Sequence, residues 1–257
     1  MADLDNKIAL VTGASRGIGR AIAERLAADG AVVAVHYGFN ADAADEVVRE
    51  IRAADGRAFA IGAELGTDGD AEALFAAFDA AIAEYAATPA LDILVNNAGV
   101  LGPGAMPKVT PEGLDRIFAI NVKAPFFIAR LALERMRDNG RVINVSSGAS
   151  LIPWTQDPGY GMSKAALDSL TLTLAKAAGE RGITVNSVGP GPVRTDMNRE
   201  WLIENESGAR EAAAVSVFNR VGEPADIADA VAFLASPQGR WVTGHWLDAT
   251  GGALLRV

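Results

Sequence analysis

The sequence predicts one doubly wound α/β domain of about seven mostly parallel strands, with helices on both faces. Two observations predict it. Short apolar runs alternate with longer amphipathic stretches over most of the chain, the pattern of a parallel sheet joined by helical crossovers. The runs also lack in–out alternation, which means burial on both sheet faces. No Pro/Ser-rich linker or internal repeat divides the 257 residues, so the whole of 1–257 is read as a single domain.

The elements follow in order. Residues 8–11 read as a strand that ends in a glycine-rich turn, and 21–28 as the helix behind it, stopped near Gly30. Residues 32–35 form the next strand. The helix over 41–54 carries Glu46, Arg49, Glu50 and Arg52 on its wet side. Short strands recur at 58–61, 93–95, 142–145 and 183–188, with helices over 71–85, 114–136 and 160–178 between them and another from about Pro224.

Composition narrows the functions. The net charge of −9 disfavours nucleic acid and anionic membranes as partners, because both reward clustered cations. Cysteine is absent, which removes thiolate catalysis, disulfides and zinc–sulfur sites. The two histidines, His36 and His245, have no metal-ligand spacing and read as ordinary strand-end residues, so no metal is expected. No apolar run reaches the roughly 18 residues of a membrane span. The opening Met1-Ala2-Asp3-Leu4-Asp5 is acidic where a signal peptide is basic, so a cytoplasmic protein is expected.

In doubly wound sheets ligands bind beyond the carboxyl ends of the strands, so residues just after each strand matter most. Thr12-Gly13-Ala14-Ser15-Arg16-Gly17-Ile18-Gly19 joins the first strand to the first helix. Glycines there permit a tight turn and let backbone N–H groups approach a pyrophosphate at the positive helix end, the Rossmann-type arrangement. An NAD site places a carboxylate at the end of the second strand to hold the ribose hydroxyls. Here that segment reads His36-Tyr37-Gly38-Phe39-Asn40, with no carboxylate before Asp42. A 2′-phosphate therefore meets no repulsion, and Arg16 and Asn40 are candidate donors to it, which favours NADP(H) over NAD(H).

Asn96-Asn97-Ala98-Gly99 follows the 93–95 strand, Ser147 follows the 142–145 strand, and Tyr160-Gly161-Met162-Ser163-Lys164 opens a helix. A Tyr and a Lys four apart share one helix face. An ammonium beside a phenol favours the phenolate, so Lys164 is expected to lower the Tyr160 pKa toward the working range. That would make Tyr160 a proton donor to a developing alkoxide, or a base toward an alcohol.

With these motifs in order, the chain resembles the short-chain dehydrogenase/reductase family over nearly its whole length, in particular its NADP-dependent carbonyl reductases and 3-oxoacyl-carrier-protein reductases. Ser147 stands thirteen residues before Tyr160, the family's usual separation, and Ser146 is one too far. The resemblance implies a catalytic set of Asn121, Ser147, Tyr160 and Lys164. In it Ser147 and Tyr160 polarise a carbonyl, Lys164 also holds the nicotinamide ribose, and Asn121, followed by Val122, positions a water. It implies cofactor contacts from Gly13, Ser15, Arg16, Gly17, Ile18 and Gly19, from Tyr37 and Asn40, and from Asn97, Ala98 and Gly99. Pro190, Gly191, Val193 and Thr195, in a segment similar to the one that holds the nicotinamide carboxamide, complete the set with Tyr160 and Lys164.

Two places depart from the family pattern. The third strand ends Ala63-Glu64-Leu65 where many relatives carry Asp-Val. Glu64 keeps a carboxylate for the adenine, and Leu65 could pack or offer its N–H. The C-terminal segment reads Asp248-Ala249-Thr250-Gly251-Gly252 where Asp-Gly-Gly is commoner.

The resemblance also makes residues 196–218 a helical, mobile substrate lid. It implies a homotetramer, or a homodimer, built on the helices over 114–136 and 160–178. Residues 101–106 and 151–154 are expected to form the other pocket walls, with Trp154 lining it, which suits an apolar or aromatic ketone. An acyl carrier protein would require basic residues beside the mouth, and the candidates are Arg135, Arg137 and Arg141 around the turn Asp138-Asn139-Gly140.

Hydride transfer between NADP(H) and a carbonyl or secondary alcohol is therefore the leading reading. A 3-oxoacyl-carrier-protein reductase is the alternative substrate assignment. A redox sensor that binds NADP(H) without turnover is the non-enzymatic one, though it has no need of Ser147, Tyr160 and Lys164. An epimerase or dehydratase on nucleotide sugars would carry a longer C-terminal substrate domain.

Overall fold

A computed structural model describes residues 4–86 and 90–256, so the first part of the acidic opening segment (residues 1–3) lies outside the described residues. Seven strands form one sheet: β1 (Ile8–Val11), β2 (Val32–Tyr37), β3 (Arg57–Gly62), β4 (Leu91–Asn96), β5 (Met136–Val145), β6 (Thr184–Pro190) and β7 (Trp246–Ala249). Their order is β3-β2-β1-β4-β5-β6-β7, and every neighbouring pair is parallel. The helices are α1 (Gly17–Ala28), α2 (Ala41–Ala53), α3 (Asp70–Ile82), α4 (Pro111–Phe118), α5 (Ala124–Arg135), α6 (Pro158–Ala178), α7 (Glu206–Val215) and α8 (Pro224–Ala235). Among the described residues no helix is long and apolar enough to cross a membrane.

Burial on both faces explains the unbroken apolar strands. Ala9 and Val11 of β1 pack with Ile22 and Leu26 of α1, Val47 of α2 and Val231 of α8. Their neighbours Ile8 and Leu10 point the other way, into a second cluster with Leu74, Phe75 and Phe78 of α3 and Ile128 of α5. A strand with a period of two satisfies both layers only if successive residues are all apolar. The chain winds outward from β1 to β3, then crosses back to place β4 on the other side of β1. That reversal opens a crevice between β1 and β4 at their carboxyl ends.

Two boundaries differ from the sequence reading. The helix expected over 114–136 is divided: α4 ends at Phe118, a turn of wider i→i+5 type spans Ala119–Lys123, and α5 begins at Ala124. Such an insertion leaves no mark on the apolar period, because both flanking helices still face the body. The turn expected at Asp138-Asn139-Gly140 instead lies within β5, which starts at Met136; Asn139 takes a left-handed φ of 63° and the register with β4 shifts between Leu91 and Ile93.

Candidate active site

The glycine-rich turn rises from β1 into α1. Gly13 has φ 63° and Gly17 has φ 56°, both in the left-handed region that a Cβ disfavours. At Gly19 a Cβ would lie 2.3 Å from the Gly13 carbonyl oxygen and 2.4 Å from the Asn97 amide nitrogen, so no side chain fits. This close approach leaves the backbone N–H groups at the start of α1 facing outward, the cradle that a pyrophosphate requires. The residues present therefore fit a dinucleotide.

Other parts of the chain hold that turn. The Asn97 side chain donates to the carbonyls of Thr12 (2.9 Å) and Gly13 (3.1 Å), while the Thr12 hydroxyl accepts from the N–H groups of Asn97 and Ala98, each at 3.0 Å. Asn97 thus acts on the turn itself, and Ala98 packs on Gly13.

His36 has a role that its sequence position did not reveal. Its Nδ1 accepts from the Gly13 N–H at 3.1 Å, and its Nε2 lies 2.9 Å from the Ala63 carbonyl oxygen. These partners require the neutral tautomer with the proton on Nε2. Burial pushes the His36 pKa below its usual value, which keeps that form. One imidazole therefore ties together the ends of β1, β2 and β3.

The remaining predicted cofactor residues surround this frame. Arg16 is exposed, and its guanidinium makes no hydrogen bond or ion pair among the described residues, which leaves it available to an anion. Asn40 caps α2 through its carbonyl oxygen, accepting from the Ala43 N–H at 3.1 Å. Its amide nitrogen is not consumed by that bond. The Tyr37 ring lies across Gly62, where a Cβ would come within 2.9 Å of it. Glu64 is exposed, and Leu65 packs against the core beside α3. Ser15 lies in the turn, and Ile18, in the first turn of α1, rests on the core below. Across the crevice, Thr195 closes on Gly17, to which a Cβ would stand 3.4 Å from its methyl carbon. Pro190 ends β6, and Gly191 and Val193 just beyond it line a cavity of about 370 Å³.

The catalytic candidates converge at the carboxyl ends of β4 and β5. Ser147 follows β5 in extended conformation. Tyr160 and Lys164 stand on the first two turns of α6, with the Lys164 ammonium 5.6 Å from the Tyr160 ring centre. Lys164 is 3 % exposed and donates to the Val145 carbonyl at 2.8 Å. A Cβ on Gly99 would lie 3.4 Å from its Nζ, so Gly99 leaves the room that Lys164 occupies. Ser146 sits in the ladder with Val188, and its hydroxyl is buried with no hydrogen-bond partner, so the neighbouring serine is the one at the site.

Asn121 lies in the wide turn before α5. Its side-chain oxygen accepts from the Val100 N–H (2.9 Å), and its amide donates to the Val100 carbonyl (2.9 Å) and the Ser163 hydroxyl (3.0 Å).

The electrostatics differ from the sequence expectation. Burial pushes the Tyr160 pKa up to about 12; the Ser147 hydrogen bond opposes that rise, and the Asp157 charge adds to it. Burial also pushes Lys164 down to about 8, with the Asp168 charge opposing. Lys164 therefore does not bring Tyr160 toward neutrality in the chain by itself. The reason is that removal from water disfavours the charged form of each group, and this is the largest influence on both. A neutral phenol beside an ammonium is the arrangement that can give up a proton.

Trp154 meets the Tyr160 ring edge-on, centres 5.7 Å apart and planes at 76°, so it flanks the tyrosine expected to carry the proton. Leu101, Leu151 and Ile152 are exposed apolar residues of the predicted walls. The segment 196–218 is helical, with a short turn at Asp196–Asn198, a wide turn at Arg199–Ile203, and α7. Leu202 packs with Ala212 and Val221, whereas Met197, Trp201 and Ile203 stay exposed.

The basic residues considered for an acyl carrier are placed elsewhere. Arg135 pairs with Asp79, Arg137 with Asp92, and Arg141 donates to the carbonyls of Asn139 and Gly140. All three lie at or near the amino-terminal end of β5, the sheet edge opposite Ser147. They form no rim around this pocket.

A dinucleotide cradle facing a serine–tyrosine–lysine set with a buried lysine defines a nicotinamide-dependent oxidoreductase site. A family model described as enoyl-(acyl carrier protein) reductase matches residues 13–253. Versicolorin reductase 1 of Aspergillus parasiticus is 41% identical over 260 residues, covering 97% of each chain. The crystal structure of the angucycline C-6 ketoreductase LanV with bound NADP is 51% identical, with a TM-score of 0.95 over 99% of this chain and 98% of that one. The reductase LugOII, which catalyses a keto-reduction at C1 during lugdunomycin biosynthesis, is 47% identical, with a TM-score of 0.94 over 98% of this chain and 100% of that one. The chain belongs to the short-chain dehydrogenase/reductase family.

Proposed function

We propose that this protein is an NADP(H)-dependent carbonyl reductase, reversible as an alcohol dehydrogenase, in which Tyr160 transfers the proton. The observation that carries this reading is the convergence of Ser147, Tyr160 and Lys164 beside the glycine-rich cradle at the carboxyl edge of one sheet. The structural relatives include ketoreductases that bind NADP. Arg16, with no carboxylate at the end of β2 to repel a 2′-phosphate, supports the same cofactor.

NADPH supplies the hydride from its nicotinamide ring. The cradle from Gly13 to Gly19 would hold its pyrophosphate, with Arg16, Tyr37 and Asn40 near the 2′-phosphate. Glu64 and Leu65 would stand by the adenine, and Asn97, Ala98 and Gly99 would bound the crevice. Lys164 would meet the ribose hydroxyls, and Pro190, Gly191, Val193 and Thr195 would meet the carboxamide. The substrate carbonyl oxygen accepts hydrogen bonds from Ser147 and Tyr160, which polarise it. Tyr160 passes its proton to the alkoxide oxygen, and Lys164 restores it with Asn121 at the route to solvent.

The substrate proposed is a ring ketone of a polycyclic aromatic compound. Leu101, Leu151, Ile152 and Trp154 offer apolar surface, residues 196–218 would close over it, and the relatives include an angucycline C-6 ketoreductase and a versicolorin reductase. The acyl-carrier alternative is not supported by Arg135, Arg137 and Arg141, which lie at the other end of β5.

The exposed Phe126, Met162 and Leu172 on α5 and α6 support a homotetramer, or a homodimer, formed through those helices, which a native mass measurement tests. The demand for a reduced nicotinamide cofactor supports a cytoplasmic setting, which cell fractionation tests. Oxidation of NADPH and of NADH, followed with a panel of polycyclic ketones, simple aryl ketones and 3-oxoacyl thioesters, tests the activity. Turnover of the polycyclic ketones with NADPH is expected; dinucleotide binding with no turnover of any carbonyl would favour the sensor instead.

A further inference from the structure

Asp157 is a buried carboxylate at the catalytic end of the sheet, 4 % exposed, and it forms no ion pair among the described residues. It caps α6: Oδ1 accepts from the Tyr160 N–H at 3.1 Å. Oδ2 accepts from the Gly102 N–H at 2.5 Å, on the loop that leaves β4. A Cβ at residue 102 would lie 2.5 Å from Oδ1, so the fit is made for glycine.

The second half of this connection runs through Asn121. Its side chain grips Val100 by both main-chain groups and donates to the Ser163 hydroxyl, which in turn donates to the Tyr160 carbonyl at 2.7 Å. The contacts form a closed ring. Tyr160 is held at its N–H by Asp157 and at its C=O by Ser163, and both arms end on the loop of Val100, Leu101 and Gly102. Leu101 is exposed there as part of the pocket wall.

We propose that Asp157 is a positioning residue that locks the Val100–Gly102 pocket wall to the main chain of Tyr160, so that substrate and proton donor are aligned as one unit. The proposal rests on the reading of Tyr160 as the proton donor. Two consequences follow. Breaking the ring misaligns reacting atoms without touching the cofactor cradle, which lies across the crevice. Removing the charge also makes the tyrosine easier to ionise, because the carboxylate opposes a phenolate nearby. The charged groups around Tyr160 are Lys164 over its ring and Asp157 at its helix cap, with Asp168 acting on Lys164.

The test compares Asp157→Asn, Asp157→Ser and Gly102→Ala with the wild type in NADPH-driven ketone reduction. Asp157→Asn keeps the cap but turns an amide toward the Gly102 N–H. Asp157→Ser keeps a short cap and abandons the loop. Each is expected to lower kcat on the order of tenfold while NADPH affinity stays within about twofold. Asp157→Asn is also expected to move the alkaline fall of the reduction rate to lower pH. Gly102→Ala in the Asp157→Ser background should cost little more than either change alone, since both cut one connection. Wild-type kcat and pH profile in folded Asp157→Asn, or losses that multiply in the double variant, overturn the proposal. Should the Asp157 variants fail to fold, Gly102→Ala with unchanged kcat overturns it by itself. Tyr160→Phe in the same assay separates the two levels: its residual activity would sink the proton-donor reading whatever Asp157 does.

Discussion

The two halves of the crevice are built by different means. The cofactor half, at the ends of β1, β2 and β3, is made of backbone: turns at Gly13 and Gly17, a helix start, and side chains such as Asn97 and His36 that brace the turn. The catalytic half, at the ends of β4 and β5, is made of side chains whose protonation is displaced, with Tyr160 pushed up to about 12 and Lys164 down to about 8. A backbone cradle binds through fixed N–H dipoles and fails when its shape changes. A side-chain site fails when one functional group or its charge changes. The same ligand-bearing crevice thus has one half sensitive to volume and one sensitive to chemistry.

The largest expected effect removes the chemistry alone. Tyr160→Phe should lower kcat by about 10²–10⁴-fold, the range of a lost general acid, with NADPH binding by fluorescence titration unchanged. A parallel loss of affinity would mean that the two halves are not separable. The next effect removes only shape. In Gly19→Ala the new Cβ meets the Gly13 carbonyl and the Asn97 amide, so NADPH affinity should fall by on the order of 100-fold while the fold, followed by circular dichroism, persists. Normal affinity would show that the turn can relax and that the cradle is softer than its contacts imply.

Smaller effects sharpen the contrast inside the cofactor half. Arg16→Ala should weaken NADPH by about tenfold, the scale of one charge-assisted contact, and leave NADH nearly unaffected. Equal losses for both would remove Arg16 from the 2′-phosphate. His36 introduces the one protonation effect expected there. Its folded-state pKa lies below the ordinary value, so the stability it contributes is complete above about 6.5 and is lost as pH falls through the lowered pKa. Protonation gives Nδ1 a hydrogen and removes the acceptor for Gly13. Thermal stability and NADP affinity should therefore both decline on acidification, and His36→Asn should flatten that decline. An identical pH profile in the variant would limit His36 to filling space.

How much of this was legible depended on whether a residue's partner is near in sequence. The strands showed because Ala9 and Val11 serve one core layer and Ile8 and Leu10 the other, leaving a run with no polar gap. Tyr160 and Lys164 showed because a helix brings residues four apart together. The break between α4 and α5 did not show, since an inserted residue preserves the apolar face on each side. Asp157 carried a readable signal, an Asp ahead of Pro158 at a helix start, which marks a cap. Its second partner, Gly102, carried none. The arginines near β5 stood in sequence beside Asp138 as a mixed-charge turn, and the sheet placed them at the far edge, where Arg135 and Arg137 pair with aspartates and Arg141 donates to backbone carbonyls.

The sequence by itself determined the layered fold, the glycine turn, and the identity of the serine, tyrosine and lysine at the site. The fold and the turn follow from local periodicity and glycine's backbone freedom, while the three side chains follow from the family resemblance, because no short-range rule relates Ser147 to Tyr160. The tertiary structure alone decided that His36 braces the cradle, that Asn121 and Asp157 close a ring around the Tyr160 main chain, and that Tyr160 rests as a phenol. Each depends on burial and on partners from separate strands, and both arise only when the chain has packed into one sheet.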